Sequence, residues 1–289
     1  MTENPLIVRA LRAANYFDLA DKIESCGKET VVFWDTDSDG PVHRPKFCKS
    51  RWCPHCSRML AVHQRARLRF YFDLYPIDSL RFVTLTQRAR VGESLKKTSA
   101  RFEKAWQSLR RSEFWLSHVT GAIKKIEINR NVQKGHWHYH AHLIVHGDYI
   151  PEKQLRAEWL RITGDSMCID VRHIDRTTIR EMSKYVTKFQ AWSPDSLGEL
   201  VHWAKSKRFL ESYGDLRLPM IYKDRLDEGH NYIYLGTANQ FWRAVVEHRY
   251  RPYYVDYANW CLTHNNPFYS ISEYWRAFLI DYIDCASPI

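Results

Sequence analysis

The sequence predicts an α+β protein built on a helix-covered antiparallel sheet of the split βαβ type. Three observations carry this. From Leu80 onward, apolar residues switch between periods of two and about 3.6, in the order strand, helix, strand, strand, helix, strand, helix. The two middle strands are joined by a short polar turn, which suits antiparallel neighbours and not parallel ones. Hydrophobic residues are 45 % and charged residues 26 % of the 289, a balance that excludes a disordered or low-complexity chain.

Each element follows from its own pattern. Pro5 to Ile23 reads as one helix, with Leu6, Leu11, Ala14, Phe17 and Leu19 recurring near the helical period. Cys26 to Cys56 reads as loop, around the turn-forming run Asp35-Thr36-Asp37-Ser38-Asp39-Gly40-Pro41. Ser57 to Leu74 resumes a basic helix. Arg81 to Thr86 is short, β-branched and aromatic, hence a strand. Glu93 to His118 places Leu95, Phe102, Trp106 and Leu109 on one helical face and Lys and Arg on the other. Gly121 to Asn129 and His136 to His146 are strands of a hairpin turning at Asn131 to Gly135. Pro151 to Ile162 is a helix with proline at its first position. Cys168 to Ile174 alternates as a strand, and Thr177 to Phe189 is a helix. The last hundred residues hold 20 of the 41 aromatics and 10 Lys/Arg against 12 Asp/Glu. They read as a packed, mostly helical region with an aromatic core. The expected division is therefore 1–75, 76–190 and 191–289.

Charge is unevenly placed. The net charge is +10, yet Arg44 to Arg130 alone carries 20 Lys/Arg against 6 Asp/Glu, and the remainder is slightly acidic. Such concentration is the footprint of a polyanion binder. No apolar stretch is long enough to span a bilayer, and residues 1–15 lack the apolar core of a signal peptide, so a cytoplasmic protein is expected.

Seven cysteines, an odd number, argue against a disulfide framework. Cys26, Cys48, Cys53 and Cys56 fall within 31 residues, the last two as Cys-Pro-His-Cys. Four thiolates complete a tetrahedron around Zn2+ in a closed structural site. His43 and His55 are possible substitutes for one thiolate. A redox pair would open a helix after a strand, whereas this one sits in a turn rich in Pro and Arg.

His136, His138, His140 and His142 alternate along one strand and therefore share a face. Two imidazoles one strand repeat apart can chelate a divalent ion. Glu127, on the partner strand, can add a carboxylate while coordination positions stay open, as a catalytic metal requires. Farther on, Glu181, Tyr185 and Lys188 occupy one face of a helix, with Lys184 beside them. Alone, that pattern is an ordinary amphipathic helix.

In combination, these motifs resemble the HUH endonuclease superfamily, and in particular the single-tyrosine initiators of rolling-circle plasmids. The cysteine knuckle is Phe47-Cys48-Lys49-Ser50-Arg51-Trp52-Cys53-Pro54-His55-Cys56; the first core strand is Phe82-Val83-Thr84-Leu85-Thr86. The acidic strand is Ile123-Lys124-Lys125-Ile126-Glu127-Ile128; the His-hydrophobe-His motif is His140-Ala141-His142, with His138 as an alternative ligand; the nucleophile helix is Glu181-x-x-x-Tyr185-x-x-Lys188. The similarity covers residues 26–189. Tyr139 stands where a proline often precedes the motif, and His136 is an additional histidine.

The resemblance implies a ferredoxin/RRM-like HUH core with an N-terminal zinc knuckle. It implies nicking and rejoining of one strand of single-stranded or hairpin origin DNA through a 5′-phosphotyrosine at Tyr185. Mg2+ or Mn2+ would be held by Glu127, His140 and His142, with Lys188 stabilising the phenolate or orienting the phosphate. It gives Glu181 a role as base for a terminating water attack; a helical ion pair with Lys184 or Lys188 is the other reading. Host helicase and polymerase would be partners. Within the basic segment, Arg51, Arg65, Arg67, Arg69 and Lys124 are the candidate DNA contacts. A transposase or relaxase of the same superfamily would share the chemistry, although no Gly-x-x-x-x-Gly-Lys-Ser/Thr helicase motif is present. A non-catalytic zinc-dependent nucleic-acid-binding protein would leave the histidine alternation unexplained.

Overall fold

The computed structural model describes residues 5–183, 193–205, 207–217, 231–251, 253–264 and 273–286. The chain forms two compact units, Thr2–Glu24 with Lys49–Met220 and Ser25–Cys48 with Ile221–Ile289. Both are discontinuous in sequence.

In the larger unit the sheet order is β6-β3-β5-β4-β7. The strands are β3 (Leu80–Thr86), β4 (Val119–Asn131), β5 (His136–Gly147), β6 (Ile169–His173) and β7 (Leu210–Gly214), and every described pairing is antiparallel. Strand β5 lies between β3 and β4, which is the split βαβ arrangement the sequence pattern predicts. Strand β7, inside the stretch read as mostly helical, adds a fifth member beside β4. The two meet where Gly121 faces Gly214; a Cβ at Gly214, whose φ is 60°, would lie 2.0 Å from the Thr120 carbonyl oxygen. Only glycine permits that approach and that backbone conformation together.

Helices α4 (Leu95–Arg111) and α6 (Glu152–Thr163) cover one sheet face. There Phe102, Tyr139 and Trp159 pack with ring centroids 4.9 and 5.6 Å from Phe102. The opposite face packs Phe82, Ile123 and Ile144 against Leu68 of α3 (Pro54–Leu74) and Met182 of α7 (Arg176–Ser183). The helix expected over Glu93–His118 is two: Ser112 ends α4, its hydroxyl donating to the Leu109 carbonyl at 2.8 Å, and caps α5 (Glu113–His118) by accepting from the Trp115 amide. The helix expected over Pro5–Ile23 also divides, into α1 (Pro5–Ala13) and α2 (Phe17–Glu24). Asn15 takes a left-handed φ of 63°, and the Tyr16 amide closes on the Leu11 carbonyl at 2.8 Å, a C-terminal cap that stops the first helix. Helix α8 (Pro194–Ala204) starts on a Ser193 cap.

The smaller unit corrects the reading of Cys26–Cys56 as loop. The turn lies at Asp35–Gly40 as expected, with the Asp35 carboxylate accepting from the Asp37 amide at 3.0 Å and the Ser38 hydroxyl at 2.8 Å. Its flanks, however, are strands β1 (Thr30–Asp35) and β2 (Gly40–Pro45). Strand β8 (Tyr232–Thr237) completes a sheet in the order β2-β1-β8. Helices α9 (Ala238–Val246), α10 (Tyr254–Thr263) and α11 (Glu273–Ala286) follow. Trp34, Phe241, Tyr254, Tyr257 and Tyr282 are buried in one cluster, so the aromatic wealth of this region is core. Among the described residues no helix is long and apolar enough to cross a membrane.

Candidate active site

The histidine strand behaves as its alternation requires. Trp137, Tyr139, Ala141 and Leu143 are buried under α4 and α6, and His138, His140 and His142 turn to the other face, partly exposed. The β4–β5 register places Glu127 directly opposite His140, with Lys125 opposite His142 and Asn129 opposite His138. Glu127 Oε2 lies 3.0 Å from His142 Nε2 and 3.5 Å from His140 Nε2. Hydrogen bonds from His140 and then His142 hold the Glu127 carboxyl far below the usual carboxylate range, outweighing the opposing effect of burial. Glu127 is thus an anion, and the three side chains offer one oxygen and two nitrogens within 4.8 Å of one another.

That donor set fits a divalent cation: two imidazoles and one carboxylate, with room for further ligands. A second layer orients it. The Thr84 hydroxyl lies 3.2 Å from His142 Nδ1, leaving Nε2 to face the carboxylate, and Phe82 stacks on the same ring at 5.4 Å. The Asn129 amide donates to Glu127 Oε1 at 3.3 Å. His138 is engaged elsewhere, its Nε2 2.9 Å from that of His136. Burial, and then the nearby charges of His136, His140 and Lys134, keep His138 below the ordinary imidazole value. The geometry therefore groups Glu127 with His140 and His142, and His138 with His136.

The described part of helix α7 reaches this face. Lys125 shares the Glu127 side of β4, and its ammonium donates to the Glu181 carbonyl at 2.5 Å. The Glu181 carboxylate accepts from Arg172 of β6 at 2.6 Å, an ion pair with a partner other than Lys184 or Lys188. Tyr185, Lys184 and Lys188 lie outside the described residues, as does the remainder of the helix expected to end at Phe189. Thr84, Lys125 and Arg172 were not singled out from the sequence. Lys125 was within reach, being two residues from Glu127 on a strand and hence on its face.

The same parity corrects Lys124 as a DNA contact. It points to the α4 face, is 2 % exposed, and pairs with Glu103 at 2.8 Å and Glu211 at 3.1 Å. Replacing it with Ala is expected to lower unfolding stability by about 2–3 kcal/mol in denaturant titrations, because two carboxylates lose their only buried cation. A loss below about 0.5 kcal/mol would show the pairs to be incidental. By contrast, Arg65 and Arg69 are exposed on α3 and Arg67 is half-buried there, while the Arg51 guanidinium stacks over Phe209 at 4.7 Å.

The cysteines fall in pairs. In the smaller unit the Cys48 amide donates to Cys26 Sγ at 3.4 Å. In the larger unit Cys53 and Cys56 are buried at the start of α3, with Pro54 as its first residue.

The family model described as "Replication protein" matches residues 40–241, more than half of the chain. Three curated relatives are each called "Protein rep". One from Streptococcus pneumoniae serotype 2 (strain D39 / NCTC 7466) is 22 % identical over 181 residues, covering 57 % of this chain and 55 % of its own. One from Lactiplantibacillus plantarum is 25 % identical over 164 residues, covering 53 % and 51 %. One from Staphylococcus aureus is 23 % identical over 186 residues, covering 58 % and 81 %. The chain thus spans about half the length of the first two. No solved structure matches. The matched segment runs from β2 through both halves of the histidine–glutamate site to α9, and the chain belongs to the Rep family of replication proteins.

Proposed function

We propose that this protein initiates rolling-circle plasmid replication by nicking one strand of single-stranded or hairpin origin DNA through a covalent tyrosine intermediate. The observation that carries the proposal is the register that sets Glu127 opposite His140 and within 3.0 Å of His142. Glu127, His140 and His142 would hold Mg2+ or Mn2+, and such an ion supplies charge neutralisation at the scissile phosphate. Thr84 holds the His142 ring so that Nε2 faces the ligand side. Lys125 ties the backbone of Glu181, four residues before Tyr185, to the strand that carries Glu127.

In the chemical step the Tyr185 oxygen attacks phosphorus. A tyrosyl O–P bond forms, the P–O3′ bond breaks, the phenol loses its proton and the departing 3′ oxygen gains one. The free 3′-hydroxyl then primes a host polymerase, with a host helicase opening the duplex. Lys188 is assigned to the developing phenolate or the phosphate. The Arg172 ion pair favours an anchoring role for Glu181 over that of a base. Arg51, Arg65, Arg67 and Arg69 supply phosphate contacts, which give affinity and salt dependence but no sequence choice. Cys26, Cys48, Cys53 and Cys56, four thiols within 31 residues of sequence, would hold a structural Zn2+.

Trapping the adduct tests the enzymatic reading. With Mn2+ and a single-stranded plasmid-origin oligonucleotide, denaturation followed by peptide mapping should place a nucleotide on the Tyr185 peptide. An adduct on another residue, or none, sinks the assignment. Elemental analysis of the purified protein should return one Zn2+ per chain; its absence from fully folded protein rejects the cysteine site.

A further inference from the structure

We infer that the edge of the larger sheet at β7 carries a pocket for one nucleotide of the bound DNA strand, across that edge from the His–Glu centre. The inference rests on the DNA-binding part of the function proposed above and is independent of the cleavage chemistry. A cavity of about 590 Å3 opens there, within the range of sites that enclose a small ligand. Its walls come from both sides of the sheet edge: Trp106 and Arg110 of α4, Phe209 and Tyr213 of the β7 segment, and Arg51 and Arg208.

The composition of that wall points to a phosphate joined to a flat, apolar group. The acidic side chain present, Glu211, is engaged by Lys124 at 3.1 Å. Arg51, Arg110 and Arg208 have no described carboxylate partner. Arg110 instead lies 3.9 Å over the Tyr213 ring and Arg51 lies 4.7 Å over Phe209. A guanidinium over an aromatic ring keeps N–H groups for an anion even where, as at Arg51, one already donates to the Lys207 carbonyl at 3.2 Å, and the rings and guanidinium planes are surfaces on which a base stacks. A solubilising arginine would extend into water and would not line a concavity with aromatic walls.

Position selects the ligand. The Phe209 carbonyl accepts from the Ile126 amide at 2.9 Å, so the β7 segment lies alongside the residue next to Glu127. The β4–β7 register puts Glu211 and Tyr213 on the Lys124 side of the sheet, so the aromatic wall lies on the α4 face, opposite the one that carries Glu127. Among the described strands β7 is the last on that side. A strand leaving the His–Glu centre in this direction turns round that edge to reach the pocket.

The test uses the protein without added Mg2+ or Mn2+ and without chelator, so that no cleavage occurs and the proposed structural Zn2+ stays in place. Oligothymidylate carrying 5-iododeoxyuridine is irradiated and the cross-link mapped. Adducts on Trp106, Phe209 or Tyr213 are expected. A bound strand whose cross-links all map elsewhere overturns the inference and leaves the nuclease reading intact; no binding of the strand at all overturns both. The double variant Arg110→Ala, Arg208→Ala, checked for a wild-type melting curve, should bind oligothymidylate at least tenfold more weakly. Its salt dependence should fall by about 1.4 in log–log slope, two phosphate contacts at about 0.7 each. Unchanged affinity and slope would refute it. Deoxythymidine monophosphate that abolishes the cross-link while the strand stays bound would show a free-nucleotide site and overturn the strand assignment.

Discussion

Tyr185→Phe is expected to abolish nicking and the covalent adduct together. The substitution removes one oxygen and leaves the ring, so strand binding should be unaffected. A phenol with an ordinary pKa near 10 is a poor nucleophile at neutral pH, and its reactivity must come from its surroundings. Without it the only nucleophile left is water, which forms no link to the protein. The cleavage rate should fall by at least about 10³-fold, as it does when an attacking group is deleted. Added Mn2+ should not restore it. Undiminished cleavage with a surviving protein–DNA link would place the nucleophile on another residue.

His142→Ala is expected to be nearly as severe, through a different failure. His142 is the imidazole nearest the Glu127 carboxylate and the one fixed from behind by Thr84. Its loss leaves a single imidazole and a carboxylate, too few protein ligands to hold a weakly bound divalent ion. Several kcal/mol of charge stabilisation disappear with the ion, which corresponds to roughly a 10³-fold fall in nicking at low Mn2+. Raising Mn2+ should recover part of the activity, which separates this variant from Tyr185→Phe. Binding of a single strand without added Mg2+ or Mn2+ should change by less than about twofold, because phosphate contacts come from the basic residues. Wild-type nicking by the variant at low Mn2+ would remove His142 from the ligand set.

Much of this site was legible in the sequence because a strand has an integer period. Alternation alone puts His138, His140 and His142 on one side and Trp137 and Tyr139 on the other, and the structure agrees. The polar turn after Asn131 made the partner strand, and hence Glu127, identifiable. The same rule, applied two residues earlier, would have kept Lys124 from the DNA contacts and drawn attention to Lys125. What was not legible depends on distant residues. The run Thr30-Val31-Val32-Phe33-Trp34 has strand character, but its sheet partner β8 lies some two hundred residues away, and the turn and cysteines around it suggested a loop. The breaks at Asn15 and Ser112 are local, yet apolar periodicity runs through both, so only cap geometry reveals them. The half-buried carboxylate of Glu199, which accepts from the Leu95 amide and the Trp137 indole, joins three elements no local pattern connects.

The opposition of Glu127 and His140 across one hairpin also constrains how the gene can change. A single codon gained or lost near 132–135 would put the carboxylate out of phase with the imidazoles, and would turn either the histidines inward or the tryptophan and tyrosine outward. Chelation and folding would be lost in one event. Length variation at this hairpin should therefore come in steps of two residues, if at all, while the surface loops of the same unit remain free to drift.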